Sequence, residues 1–173
     1  MQQILNYSLA RGKEVNMNTT ELAEKVIFRF GHDAQQKMLV EEMAELTTAI
    51  CHLYRGRDSK DNLAEEIADC LTVLSQMDII FKTAPKRNDA YHPSWSKDIP
   101  IFEQIIFYAG KLQSALIVYP KYVSGGLSIR ELLIQFRETL NTLAEEVGIE
   151  TINEWMDKKN DRMCERLSFG IGE

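Results

Sequence analysis

The chain has 173 residues, 45% of them hydrophobic and 27% charged, with a formal net charge of −6. That is enough chain for one ordinary core, and the composition lies outside the disordered and fibrous classes. The acidic balance argues against a nucleic-acid partner, which needs clustered Lys and Arg, yet it leaves room for a small phosphorylated substrate held through a metal.

From the N-terminus, "MQQILNYSLARGKEV" lacks the basic start and apolar core of a signal peptide. The next stretch, "NTTELAEKVIFRFG", opens on Asn/Thr caps and stops at Gly31, which predicts a first helix. Asp33, with Gln36 three residues on, predicts the start of a long helix reaching about Tyr54 and ended by "RGRDSKD". Asp61 is expected to open the next, which runs to about Lys82.

"TAPKRNDAYHPSWSKDIP" is an aperiodic connector bearing Pro, Asn and Asp. Asp98 with Pro100 suits the start of a helix that ends before Pro120. Ser128 and Glu131 spell a capping box for a helix stopping at Gly148, and Thr151 with Glu154 spell another for a last helix to about Leu167. Apolar residues recur at helical spacing and not in alternation, so the expected fold class is all-α, a bundle of about six helices.

Cys51, Cys70 and Cys164 are widely spaced without a CxxC pair, poor material for disulfides or zinc and suited to a reducing cytosol. No uncharged apolar run approaches the roughly 18 residues of a membrane helix. The expectation is a cytoplasmic protein with no membrane partner.

Residues 1–173 read as one all-α domain: a metal-binding helical unit at 19–83, a connector at 84–100, then a second helical unit with a closing basic helix at 101–167. A shift of 66 residues sets "AELTTAI" on "GKLQSAL" and "NLAEEIADCLTVL" on "SIRELLIQFRETL" without a gap, which raises an internal duplication. Under that shift Glu42, Glu45, Glu66 and Asp69 fall on Tyr108, Lys111, Leu132 and Gln135, so the second copy would be degenerate and carry no acidic site.

Those four acids are the sequence's most pointed feature. A helix advances about 100° per residue, which places Met38, Glu45, Leu46, Ala49 and Leu53 within about 60° of Glu42. The following helix repeats the pattern, with Asp69, Leu63, Cys70, Val73, Met77 and Ile80 around Glu66. Glu41 and Glu65 lie on the flanks. A short connection makes the two helices antiparallel neighbours, so the carboxylates are expected to meet. Two carboxylates about 4 Å apart repel by roughly 4 kcal/mol at an effective dielectric near 20, and a hard cation such as Mg²⁺ or Mn²⁺ relieves an all-oxygen set. Di-iron bundles pair Glu with an ExxH motif, and His32, His52 and His92 do not supply one.

The segment "EEMAE", followed after twenty residues by "EIAD", resembles the EExxE…ExxD signature of the MazG-like all-α nucleoside triphosphate pyrophosphohydrolases. The likeness runs over residues 33 to 82, and the tail "VGIETINEWMDKKNDRMCERL" is similar to that family's closing helix. The resemblance implies Mg²⁺-dependent cleavage of an NTP or dNTP between the α- and β-phosphates, in a homodimer or higher homo-oligomer. It implies Glu42, Glu45, Glu66 and Asp69 as metal ligands. Dimeric dUTPases of the same superfamily hold two helical units and one acidic site in a chain, which is similar to the degenerate second unit here.

Within this frame Glu41 and Glu65 are candidates to orient the attacking water or accept its proton. Lys158, Lys159 and Arg162 are candidates to meet the phosphates, with Arg55, Arg57 and Lys60 as second choices. Trp95 is the aromatic expected to stack on the base. Specificity for dUTP or dCTP and a non-catalytic helical interaction module are the alternative readings.

Overall fold

The computed structural model describes residues 19–83, 98–118 and 128–168. They form α1 (Thr19–Phe30), α2 (His32–Tyr54), α3 (Lys60–Phe81), α4 (Ile101–Val118), α5 (Ile129–Val147) and α6 (Ile149–Ser168). No strand occurs among the described residues, and the fold is an all-α bundle.

Helix ends follow from local chemistry, and three of them differ from expectation. Gly31, at φ 85°, adopts a left-handed conformation that suits glycine and divides α1 from α2. α2 therefore begins at His32, and Asp33 lies in its first turn, where its charge complements the helix dipole without capping. Ser59, not Asp61, caps α3: its hydroxyl accepts from the Asn62 backbone N–H at 3.1 Å, three residues on, while Asp61 sits inside the first turn.

Pro100 precedes α4, and its carbonyl accepts from the N–H groups of Glu103 and Gln104. The Ser128–Glu131 capping box forms as expected. Gly148, at φ 130°, donates to the Ala144 carbonyl and accepts from the Ile152 N–H, so one glycine both ends α5 and starts α6. Thr151 and Glu154 consequently lie within α6 and do not cap it.

α2 and α3 form one helical hairpin, and α4 and α5 a second; α4 packs on α2 and α5 on α3, with α1 and α6 laid along α3. The core is filled by Leu39, Met43, Leu46 and Ile50 of α2, Leu63, Ile67, Leu74 and Met77 of α3, Ile105 and Leu112 of α4, and Phe136 and Leu140 of α5. Met38, expected in the buried stripe with Glu42, is 41% exposed. The covered arc of α2 is centred between Leu39 and Leu46, about 90° around the helix from Met38. The same geometry leaves Glu42 half-buried and Glu45 exposed.

By length and apolarity α4 is able to cross a membrane, with a mean hydropathy of 1.2. It carries Glu103 and Lys111, however, and buries Ile105, Tyr108, Ala109, Leu112 and Leu116 in the bundle core. The Gln113 amide fixes α4 to α2 by donating to the Val40 carbonyl at 3.0 Å.

The far end of α3 is anchored to α5. Asp78 accepts from the Thr83 hydroxyl at 2.7 Å and pairs with Arg137 at 2.8 Å, while Arg130 donates to the Lys82 carbonyl at 2.7 Å. Burial pushes the Arg137 guanidinium below its ordinary range, opposed by the charge of Asp78. These contacts hold α3 rigidly, and α3 carries half of the acidic cluster.

Candidate metal centre

The i and i+3 spacing on α2 and α3 delivers what it promises in part. Glu42, Glu45 and Glu66 each present a carboxylate oxygen within 4.8 Å of the others. Three anions at that distance repel one another, and two of them sit partly out of water. Burial, then the charges of Asp69, Glu45 and Glu66, pushes Glu42 up to about 7 from 4.5. Glu66 is likewise pushed up to about 7, by burial first and then by Glu45, Asp69 and Glu65.

Oε2 of Glu66 is buried and has no hydrogen-bond partner among the described residues. Such an atom is costly unless something electropositive reaches it. An all-carboxylate oxygen set with one orphaned buried oxygen fits a hard divalent cation. Beneath the cluster lies Cys70, fully buried, its thiol held neutral by burial and by the four acids around it.

The fourth acid is placed differently. Asp69 lies outside the trio, and its Oδ2 accepts a short hydrogen bond from Lys159 Nζ of α6, which also donates to Glu65 Oε1 at 3.1 Å. Burial raises the Asp69 carboxyl, while the hydrogen bond and charge of Lys159 oppose the rise. Burial works to lower the Lys159 ammonium as well, but its bonds to Asp69 and Glu65 prevail and hold it above its ordinary value. Glu65 is thus an ion-pair partner of Lys159, and Glu41 is an exposed acid on the flank of α2.

Contacts between α6 and α3 recur at successive turns. Asp61 accepts from Trp155 Nε1 at 3.2 Å, Glu65 and Asp69 hold Lys159, and the charge of Arg162 reaches Asp69. Lys158 stands 4.0 Å over the Trp155 ring, a cation–π contact. Lys158 and Arg162 are exposed. Arg55, Arg57 and Lys60 are exposed at the α2–α3 turn, away from any ion pair with the acids. Trp95 lies outside the described residues.

A cleft of about 200 Å³ opens beside the trio and shares Glu45 and Glu66 with it. Its other walls are Thr48, Ala49 and His52 of α2, and Asp58 and Asn62 of the turn and first turn of α3. The sequence reading stopped at the acids and missed these groups. The signal was present: His52 follows Glu45 by two helical turns, and Asn62 precedes Glu66 by one.

No curated protein and no solved structure matches the chain. The family model of the MazG nucleotide pyrophosphohydrolase domain matches residues 30–83, which are α2 and α3 with their flanks, while α4, α5 and α6 lie outside the match. The helical hairpin that carries the acidic cluster is therefore MazG-like, and it links this chain to the nucleotide pyrophosphohydrolases.

Proposed function

We propose that the protein hydrolyses a nucleoside or deoxynucleoside triphosphate between the α- and β-phosphates, with Mg²⁺ or Mn²⁺ held by Glu42, Glu45 and Glu66. The observation that carries this reading is the convergence of three carboxylates within 4.8 Å, one with a buried unpartnered oxygen, on a MazG-like hairpin. In the reaction a water oxygen forms one new bond to phosphorus as the bond to the bridging oxygen breaks. The monophosphate and pyrophosphate leave, and the proton of the water passes to a base. When bound, the divalent cation supplies charge neutralisation for the triphosphate and makes water more acidic.

The chain's own groups divide the remaining work. Exposed Glu41 suits accepting the proton, whereas Glu65, tied to Lys159, suits orienting the water. Lys158 and Arg162, exposed on the helix that packs along α3, suit the outer phosphates, and the charge of Arg162 already reaches Asp69. Lys159 is already engaged, and its single positive charge offsets part of the negative charge that Asp69 and Glu65 add beside the cluster.

Residues 101–147 are, on this reading, the degenerate second unit. Tyr108 and Gln135, the counterparts of Glu42 and Asp69 under the 66-residue shift, are both buried, and the Tyr108 hydroxyl donates to Gln135 Oε1 at 3.4 Å. Leu132, the counterpart of Glu66, is buried as well. A neutral hydrogen bond and an apolar plug thus stand where the first unit has anions.

Pyrophosphate release from a panel of dNTPs, with and without Mg²⁺, tests the proposal. Glu42→Gln is expected to lower release by at least about 100-fold with helicity retained, since one missing charge ligand removes several kcal/mol of transition-state stabilisation. Mg²⁺-dependent release unchanged in that variant would remove the reading.

A further inference from the structure

The cleft beside the acids has a chemistry of its own. It runs along the facing stripes of α2 and α3 from Glu45 and Glu66 toward the turn, about 10 Å over the seven residues from Glu45 to His52. At about 200 Å³ it is smaller than the roughly 300–1,000 Å³ of sites that enclose a whole drug-sized ligand, and it suits a single ring system. A substrate whose phosphates lie against the trio would extend its base this way.

Asn62 is held in one orientation there. Its Nδ2 donates to Asp58 Oδ2 at 2.9 Å, and Asp58 Oδ1 accepts from the Ser59 backbone N–H at 2.8 Å. A carboxylate only accepts, so the amide nitrogen must face Asp58 and the carbonyl Oδ1 must face away. That oxygen has no partner among the described residues. The Thr48 hydroxyl spends its proton on the Ala44 carbonyl at 2.9 Å, which leaves it accepting toward the cleft. With the carboxylates of Glu45 and Asp58, the wall is dominated by acceptors. Only His52 and the second amide hydrogen of Asn62 can donate.

We infer that this cleft takes the nucleobase and that Asn62, clamped by Asp58, selects bases carrying an exocyclic amino group. The inference rests on the pyrophosphohydrolase reading for its triphosphate arm and stands apart from it in binding. An amino group donates to Oδ1 of Asn62, whereas the keto oxygen that replaces it in a deaminated base meets an acceptor with an acceptor. A site built for one hydrogen-bonding group rejects the analogue that lacks it.

The experiment compares KM for dCTP with dUTP and for dATP with dITP. The wild-type chain is expected to favour the amino partner in each pair by about tenfold, the value of one net hydrogen bond. Asn62→Ala keeps the backbone bond to Ser59 and closes both gaps by raising KM for dCTP and dATP. Asp58→Ala, which frees the amide to rotate, moves in the same direction, and Asp58→Asn restores part of the preference because its carbonyl still accepts from Asn62.

Calorimetric binding of dCMP and dUMP to the metal-free chain gives a second reading that needs no turnover, with dCMP expected to bind about tenfold more tightly. Equal binding of the two, or gaps that survive in Asn62→Ala, would overturn the inference. Hydrolysis without base preference defeats this inference alone. A dCMP preference without hydrolysis of any triphosphate upholds it and defeats only the pyrophosphohydrolase reading.

Discussion

Replacing Glu66 with Gln gives the sharpest test of the electrostatics. Glu66 rises from 4.5 to about 7 in the folded chain, for burial first and then for its acidic neighbours. A raised carboxyl pKa means that the native state holds its proton where the unfolded chain has lost it. Its contribution to stability is therefore complete below pH 4.5 and is lost as pH rises through about 7. The full shift corresponds to roughly 3 kcal/mol at 1.36 kcal/mol per unit, and solvent screening of a half-buried group reduces it to about 1 kcal/mol.

Glutamine keeps the shape and carries no charge at any pH. In EDTA at pH 8 the Glu66→Gln chain is thus expected to be about 1 kcal/mol more stable than the wild type, a Tm higher by about 2–4 °C. At pH 5 most of that gain disappears. Adding millimolar Mg²⁺ at pH 8 reverses the order, because only the wild-type trio is complete and a ligand of the native state stabilises by mass action. Thermal melts by circular dichroism read all three conditions. A variant less stable than wild type without metal, or a gain independent of pH, would refute the account of three crowded carboxylates.

Two further outcomes follow from contacts described above. Lys159→Met leaves Asp69 and Glu65 unpaired beside the trio and is expected to cost about 2 kcal/mol in urea unfolding at pH 8. The cost should shrink at acid pH, where Asp69, its carboxyl raised by burial, takes up a proton. Gly148→Ala forces a Cβ onto φ 130° and is expected to cost more than about 1 kcal/mol, whereas Gly110→Ala, in open space inside α4, is expected to gain about 0.5–1 kcal/mol; chemical denaturation of the pair separates conformation from crowding.

Much of this architecture is written in local chemistry. Gly31, the Ser128–Glu131 box and Gly148 mark helix ends that the structure reproduces, because each acts through its immediate neighbours. Caps were less legible where several candidates stand together: in "RGRDSKD" Asp58, Ser59 and Asp61 all qualify, and the choice falls on the hydroxyl three residues before a free N–H. Convergence of Glu42, Glu45 and Glu66 could be read from helical spacing plus a short turn. The separation of Asp69 from that trio could not, since it depends on Lys159, 90 positions later in the chain, whose approach is set by how α6 docks. The Asp58–Asn62 clamp was equally hidden, being an arrangement of two polar groups that reads on paper as ordinary turn composition.

The way α6 grips α3 has a consequence for how the protein is made. Asp61, Glu65 and Asp69 leave the ribosome long before Trp155 and Lys159, their partners 90 and 94 positions downstream. Until α6 emerges and docks, Glu65 and Asp69 lack the ammonium of Lys159 that pairs with them in the folded chain. The acidic pocket is assembled from α2 and α3, but the ammonium that balances part of it arrives only with α6, some 90 positions later in the chain.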